Sequence, residues 1–198
     1  MAELKTRSGV NNDMVLVPKS TIFALEEKIT KLTMENKILS EQASKDTLIP
    51  TIGNRRALAG LLESEKSKIE REDANGKKGM DMACIYFDLN EFKQINDTLG
   101  HDAGDALLKK FADILVSNAR GYDQVFRVGG DEFTVILAGD DRAGANAYTG
   151  RVMADVAKVE GLKTASGIST FREAGGDMDL MIKMADGSMY DLKRAQRQ

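Results

Sequence analysis

Two adjacent carboxylates lie in a glycine turn within residues 124–137, QVFRVGGDEFTVIL, between two short runs of alternating apolar residues. This pattern is typical of a β-hairpin closed by a glycine turn. Gly129 and Gly130 can take positive φ and carry no Cβ, so the phosphates of a ligand can approach the backbone while Asp131 or Glu132 holds a cation. A solvated hairpin tip with acidic turn residues would have the same local pattern.

A third carboxylate, Asp88, follows the continuous apolar run MACIYF at residues 82–87, which predicts a strand buried on both sheet faces. Open α/β sheets bind ligands at the carboxyl ends of such strands, and the following helix offers free backbone N–H groups to phosphate. We therefore expect Asp88 and Asp131 to share a metal ion, and Mg²⁺ suits such hard oxygen ligands. A calcium loop is excluded, because Lys93 and Leu99 replace its glycine and its bidentate glutamate.

The elements that must position these carboxylates follow the order β-α-α-β-β-α-β-α from the 82–87 strand onward. Hydrophobic periodicity and caps predict five helices. They cover residues 55–72, a short segment that follows residues 88–90 and ends at 98, a longer segment around 107–115, a segment from Asp140-Asp141 to about 159, and residues 178–197. A further strand is predicted over residues 162–168. This order predicts an α/β (α+β) sandwich with a central mixed, mainly antiparallel sheet flanked by helices.

An N-terminal helix has the apolar spacing of a coiled coil. Its core positions alternate gaps of three and four residues over about three heptads, at Ile22, Leu25, Ile29, Leu32, Asn36 and Leu39. A buried Asn on the Ile side of the seam favours a parallel two-stranded coil, and the alternative is one amphipathic helix packed on its own domain. The predicted organisation is a flexible tail over residues 1–19, a dimerisation stalk over 20–45 and a globular domain over 46–198.

The composition limits the class of protein. A chain of 198 residues with 42% hydrophobic content can bury one substantial core and carry an appendage. With 28 basic and 31 acidic residues the formal net charge is −3, so we expect neither nucleic acid nor membrane as a partner. The single cysteine, Cys84, excludes an internal disulfide and multi-cysteine metal sites. No signal peptide or stretch of about 20 apolar residues is present, which predicts a cytoplasmic protein.

Four separated blocks together resemble the GGDEF family, the diguanylate cyclases. They are DLNEFKQIND at 88–97, GH at 100–101, GD at 104–105 and GGDEF at 129–133. The blocks have the family's mutual spacing, and the resemblance covers roughly residues 46–197. It implies that two GTP molecules are joined into cyclic di-GMP with release of two pyrophosphates. The implied fold is similar to class III nucleotide cyclases and polymerase palms.

The resemblance implies a two-cation site for Mg²⁺, with Mn²⁺ as an alternative. Its ligands would be Asp88, the Leu89 carbonyl and Asp131, and Asp131 or Glu132 would help to deprotonate the attacking 3′-hydroxyl. Two cations can stabilise both the nucleophilic and the leaving oxygen of an in-line displacement. The residues implied for the terminal phosphates are Phe92, Lys93, Lys193 and Arg197. A solvated basic helix end is the alternative interpretation of the last two residues.

Recognition of the guanine base is implied for residues in and around the loop between two predicted helices. The resemblance implies Asn96 and Asp105 as guanine readers, with His101 in the loop between them. A carboxylate can accept two parallel hydrogen bonds from guanine N1–H and the 2-amino group, whereas adenine presents no such donor pair, so GTP is favoured over ATP. The alternative interpretations are a helix-capping role for Asp105 and a turn role for His101.

An inhibitory site is implied by the segment that precedes the hairpin. Arg120 and Asp123 match the family's RxxD product-inhibition motif, and Arg151 on the following helix resembles a further arginine of that site. Arginine can bind a phosphate or a guanine edge, and aspartate can bind a guanine. A local pair between Arg120 and Asp123 that closes the loop is the alternative interpretation.

The chain also departs from the family pattern. The family's opening motif is altered in its centre and spacing over residues 46–56, residues 164–167 lack the residue normally found between serine and glycine, and Gln196 replaces a common glycine. The leading functional hypothesis is a diguanylate cyclase that works across a homodimer and is inhibited by its product. A catalytically silent cyclic di-GMP receptor and a coiled-coil scaffold are the second and third hypotheses.

Overall fold

The structure, a computed structural model, describes residues 4–7, 14–74 and 81–195. The chain divides into two compact units, Met1–Ala43 and Ser44–Gln198. None of the helices in the described part of the chain is long and apolar enough to cross a membrane.

The first unit contains two strands and one helix. Strands β1 (Leu4–Arg7) and β2 (Met14–Val17) pair antiparallel, whereas the sequence analysis expected a tail without regular structure over these residues. The β2 sequence, MVLV, is rich in residues that favour strands, but it is too short to show a period. Helix α1 (Lys19–Ala43) runs without interruption for 25 residues, and none of its residues is buried.

The second unit contains one five-stranded sheet and five helices. In chain order these elements are β3 (Gly53–Asn54), α2 (Arg55–Ala74), β4 (Met82–Leu89), α3 (Phe92–Leu99), α4 (His101–Asn118), β5 (Gln124–Arg127), β6 (Glu132–Ala138), α5 (Arg142–Val156), β7 (Thr164–Thr170) and α6 (Met178–Ala195). The strand order is β3-β5-β6-β4-β7, and of the pairings in this sheet only β3 with β5 is parallel. The predicted sandwich with a mainly antiparallel sheet is therefore confirmed.

Strand β4 lies at the centre of two hydrophobic layers. Alternate residues, including Ile85 and Phe87, pack with α4 and α5 on one face of the sheet, while Cys84 and Tyr86 pack with α2 and α6 on the other. On the first face the Phe111 ring makes an edge contact with the Phe87 ring at a centroid distance of 5.6 Å. The predicted burial of this strand on both faces is thus confirmed. Burial also raises the pKa of the Cys84 thiol to about 12, so this residue serves the core.

The predicted helices are present, and their ends differ by a few residues. Asp141 caps α5 as expected, because its carboxylate accepts hydrogen bonds from the N–H groups of Ala143 and Gly144. This helix ends at Val156, before the predicted position, and β7 starts and ends two residues later than predicted. The end predicted for the last helix, residue 197, lies outside the described residues.

Strand β3 was not predicted, because two residues cannot show an alternating pattern. It pairs with β5, and Gly53 lies opposite Phe126 in the register. A Cβ on Gly53 would lie 2.5 Å from the Phe126 ring, so the close approach of the strands requires glycine.

Helix α6 packs directly on β7 at Gly167. A Cβ at this position would lie 2.1 Å from the Ala185 carbonyl oxygen and 2.2 Å from the Met189 nitrogen, both of them backbone atoms of α6. The hydroxyl of Ser169 also donates a hydrogen bond to the Met181 carbonyl of the same helix. The sheet and the helix backbone are therefore in contact without an intervening side chain.

Replacement of Gly167 by Ala tests this close packing. We expect the variant to lose about 1–3 kcal/mol of unfolding free energy, because the added methyl forces two backbones apart. Urea denaturation followed by circular dichroism measures the loss. Gly187→Ala is the matched control, since Gly187 is an exposed position of α6 with open space around its Cβ site. This control should gain up to about 1 kcal/mol from helix propensity. A Gly167→Ala protein as stable as the wild type would contradict the packing.

Candidate active site

The hairpin turn is joined to the carboxyl end of β4 by backbone pairing. Asp88 lies opposite Glu132 in the antiparallel register, and the Leu89 N–H donates to the Asp131 carbonyl at 3.1 Å. The turn itself is closed by a hydrogen bond of 3.0 Å from the Val128 N–H to the Glu132 carbonyl. The structure thus brings the strand end and the two turn carboxylates to one place, as the sequence analysis expected.

The Asp131 carboxyl has an altered acidity. Its pKa is raised above the ordinary aspartate value, chiefly by burial and then by the charge of Asp88, and the nearby charges of Lys193 and Arg127 offset this in part. The carboxylates of Asp88 and Asp131 therefore bring two negative charges close together at a partly buried place. Such a site favours the binding of a cation between them.

Lys193 supplies a positive charge at this site. Its ammonium group on α6 contacts the Asp88 carboxylate, and both side chains are mostly buried, at 19% and 15% exposure. A solvated helix end is therefore the wrong description of Lys193. Arg197, the other cation predicted on this helix, lies outside the described residues.

The Glu132 carboxylate lies against Gly129. A Cβ on Gly129 would be 2.1 Å from Glu132 Oε2, so the glycine leaves the room that this carboxylate fills. The Tyr86 hydroxyl lies near the same carboxylate, and burial together with the negative charge of Glu132 raises the pKa of the tyrosine. Neither Gly129 nor Gly130 has a positive φ, so the expectation of left-handed turn glycines is wrong and the requirement at Gly129 is space.

The donor set at the strand end fits Mg²⁺. Within residues 4–7, 14–74 and 81–195 no group of three or more His, Cys, Asp or Glu side chains is arranged to hold a metal. Asp88 and Asp131 are two hard oxygen donors, and the buried Leu89 next to them offers its backbone carbonyl. Mg²⁺ is commonly held by one or two carboxylates together with substrate phosphates, which is consistent with this small donor set.

The start of α3 forms the side of the site predicted for phosphate. Glu91, the N-cap of this helix, has φ 61, and it is the one non-glycine residue with positive φ among the described residues. Its carboxylate pairs with Lys163 at 3.1 Å, and the Asn90 N–H donates to the Lys163 carbonyl at 2.8 Å. The strained loop is therefore tied to the segment before β7. Of the predicted phosphate residues, Lys93 is exposed, while the Phe92 ring packs against the core.

The predicted guanine readers come together where α3 meets α4. A Cβ on Gly104 would lie 1.9 Å from the Asn96 Oδ1, so Asn96 fits against the residue that precedes Asp105. Asp105 lies inside α4 and the N-cap of this helix is Gly100, so the capping interpretation of Asp105 is wrong. His101 is the exposed first residue of α4 and not a turn residue.

The predicted inhibitory residues are also close to one another. Asp123 Oδ2 accepts the Arg120 backbone N–H at 2.7 Å, whereas Asp123 Oδ1 is buried and has no hydrogen-bond partner among the described residues. The Arg120 guanidinium binds the Asp140 carboxylate and not Asp123, so the predicted local Arg–Asp pair forms through the backbone only. Arg151 donates to the Asn118 carbonyl at 3.2 Å.

Arg127 was missed by the sequence analysis. Its Nε and Nη2 donate to the Gly130 carbonyl at 3.1 and 2.7 Å, and its Nη1 lies 3.5 Å from Asp46 Oδ1. The same Asp46 oxygen accepts the Ile49 N–H at 2.8 Å. Arg127 therefore connects the glycine turn to the segment that opens the domain. An arginine two residues before the glycine pair is the signal that would have indicated it.

Comparison with known proteins shows which family has this arrangement. A family model described as diguanylate cyclase, GGDEF domain, matches residues 43–198. Diguanylate cyclase DgcS of Shewanella oneidensis is 38% identical over 110 residues, which cover 56% of this chain and 35% of that protein. Diguanylate cyclase DosC of Escherichia coli K12 is 32% identical over 153 residues, which cover 73% of this chain and 32% of that protein. The chain spans about a third of the length of these relatives.

A solved structure shows the same fold. The crystal structure of the coiled coil and GGDEF domain of DgcB from Caulobacter crescentus, in complex with c-di-GMP, superposes with a TM-score of 0.73. The match covers 89% of this chain and 94% of that chain at 19% identity. At this level of identity the similarity establishes the fold.

Replacement of Arg127 by Gln tests its connection to the turn. The variant loses the ion pair with Asp46 and the paired hydrogen bonds to Gly130, so its unfolding free energy should fall by about 1–3 kcal/mol. Chemical denaturation measures the change, and Arg56→Gln at an exposed position of α2 is the control. Equal stability of the two variants would show that the contacts of Arg127 do not hold the turn.

Proposed function

Because the chain belongs to the GGDEF family, we propose that it is a diguanylate cyclase that joins two GTP molecules into cyclic di-GMP and releases two pyrophosphates. The observation that carries this proposal is the position of the Asp131 carboxyl beside the Asp88 carboxylate at the end of a buried strand, where burial and the charge of Asp88 raise the pKa of Asp131. Curated relatives with the diguanylate cyclase name support the same activity.

The strand end and the turn would hold the cations and accept the proton. Two Mg²⁺ ions bound by Asp88, the Leu89 carbonyl and Asp131 would supply stabilisation of the attacking and leaving oxygens. Asp131 or Glu132 would accept the proton of the attacking 3′-hydroxyl. Lys193, which pairs with Asp88 in the free protein, would bind a phosphate once a cation is bound to Asp88.

Two neighbouring helices would bind the rest of GTP. The N–H groups at the start of α3, at Phe92 and Lys93, face no acceptor within the first turn of the helix and suit the terminal phosphates. Lys193 and Arg197 are the cations proposed for the same phosphates. Asn96 and Asp105, with His101 beside them, would read the guanine edge.

A separate site would bind the product. Arg120, Asp123 and Arg151 combine two cations with a carboxylate whose Oδ1 is buried and unpartnered among the described residues. We propose that Asp123 would accept N–H groups of a guanine after a side-chain rearrangement, and that the arginines would bind phosphate. We propose that occupancy of this site by cyclic di-GMP inhibits the enzyme.

The reaction needs two copies of the domain, because each GTP donates its 3′-hydroxyl to the other. We propose that residues 20–45 form a parallel coiled-coil stalk that brings two copies together. Leu25, Ile29, Leu32 and Leu39 of the seam are between 47% and 62% exposed in the single chain. A second copy of α1 would cover these apolar side chains.

Incubation with GTP and Mg²⁺ tests the activity, with identification of the dinucleotide and pyrophosphate released. ATP in place of GTP should give no product. Asp131→Asn and Asp88→Asn should each lower turnover at least about a hundred-fold, the scale of a general base or a cation ligand. The control is Asp113→Asn on the exposed face of α4. Product formation by Asp131→Asn at the wild-type rate would refute the proposed site, and binding of cyclic di-GMP without any turnover would indicate the receptor function.

The double variant Ile29→Asp with Leu32→Asp tests the stalk. Charges in the seam oppose pairing of the helices, so turnover per molecule should depend more steeply on protein concentration. The control carries the same two added charges outside the seam, as Ala24→Asp with Thr30→Asp. Activity measured over a dilution series decides the matter, and an identical dependence in both proteins would reject the role of the stalk.

A further inference from the structure

The Arg120 guanidinium is occupied by a carboxylate of its own chain. Its Nη1 lies 3.2 Å from both oxygens of Asp140, and the Tyr122 hydroxyl lies 3.4 Å from the same nitrogen. The proposed function assigns the same guanidinium to binding the phosphate of cyclic di-GMP. The free protein therefore holds its inhibitory arginine in an internal ion pair.

The fold fixes the position of Asp140 more firmly than that of its partner. Asp140 follows Gly139, which has φ 79, and its side chain is 19% exposed compared with 51% for Arg120. A Cβ on Gly144 would lie 2.6 Å from Asp140 Cγ, so the first turn of α5 leaves a space that this carboxylate fills. The guanidinium is consequently the more exposed partner of the pair, and the carboxylate is the more enclosed one.

The other two members of the inhibitory site contact the backbone. Asp123 accepts a backbone N–H through one oxygen, and Arg151 donates to a backbone carbonyl. Within the described residues, Arg120 is the one member of the three that is paired with an opposite charge on a side chain. Binding of an anionic ligand at Arg120 thus requires exchange of one anion for another.

We propose that Asp140 is an internal competitor for Arg120 that weakens the binding of cyclic di-GMP and so raises the product concentration at which inhibition begins. The inference rests on the proposed function, because it assigns Arg120 to product binding. Each phosphate of the dinucleotide is an anion, and it meets a guanidinium already bound to a carboxylate. The contribution of Arg120 to the binding free energy is therefore the difference between its interaction with the phosphate and its interaction with Asp140.

The size of the effect follows from the exposure of the pair. Ion pairs at a protein surface stabilise by a small amount, so release of Arg120 from Asp140 should increase the affinity for cyclic di-GMP about two- to five-fold. Asp140→Asn removes the charge and Asp140→Ala removes the side chain, so both should bind more tightly than the wild type. Asp140→Glu keeps the carboxylate and should remain close to wild-type affinity.

Calorimetric titration with cyclic di-GMP measures these affinities in the full chain. Asp113→Asn has the same change in net charge as Asp140→Asn at an exposed position of α4, and it should leave the affinity unchanged. Arg120→Ala should abolish binding. Tighter binding by Asp140→Asn and Asp140→Ala, but not by Asp113→Asn, supports the competitor role.

Two other outcomes would overturn the inference and are distinguishable. Unchanged or weaker binding by the Asp140 variants, together with loss of binding by Arg120→Ala, would show that the product site exists and that Asp140 does not compete in it. Wild-type protein that fails to bind cyclic di-GMP, or Arg120→Ala protein that binds it normally, would refute the product site and the competitor with it.

Discussion

The antiparallel pairing of β4 with β6 is the constraint on which the candidate site depends. Strand β4 is held on both faces by hydrophobic layers, so its carboxyl end cannot shift without disturbing the core. The register sets Asp88 opposite Glu132, and the hydrogen bond from Leu89 to the Asp131 carbonyl holds the turn against the strand end. A shift of one residue would turn Asp88 to the other face of the sheet. The hydrophobic core therefore determines the spacing of the acidic groups.

The acidic groups oppose folding, and contacts from both sides of the sheet offset them. Lys193 reaches Asp88 from α6, which can lie close to the sheet because Gly167 has no side chain. Arg127 approaches from β5 and binds the turn carbonyl at Gly130. The charges of both residues lower the pKa of Asp131, which nevertheless stays raised, chiefly because the carboxyl is buried and then because Asp88 is near. The proposed cation would stabilise the negative charge of these partly buried carboxylates.

Most of the fold was predictable from the sequence, because the long elements have strong hydrophobic periodicity. The buried run of β4, the hairpin and the helices were found in this way, and the glycine and aspartate blocks indicated most of the site. Contacts between distant polar residues leave no periodic signal, so Arg127 with Asp46 and Arg120 with Asp140 were not predicted. Gly129 was misjudged for a related reason. A sequence shows that a glycine is present, but whether it supplies positive φ or space depends on a neighbour such as Glu132.

The pairs at Asp88 and at Arg120 have a common physical basis. A charged group in a half-buried place is costly when it has no partner, so the free protein is more stable if each ligand-binding charge has a temporary one. Lys193 serves Asp88 in this way and Asp140 serves Arg120. Under the proposed function, each internal partner would lower the affinity for the external ligand by the strength of the pair that must be broken. The same two ion pairs thus contribute to the stability of the ligand-free fold and to its affinity for ligand. Substitution of Lys193 or Asp140 should therefore change both quantities together.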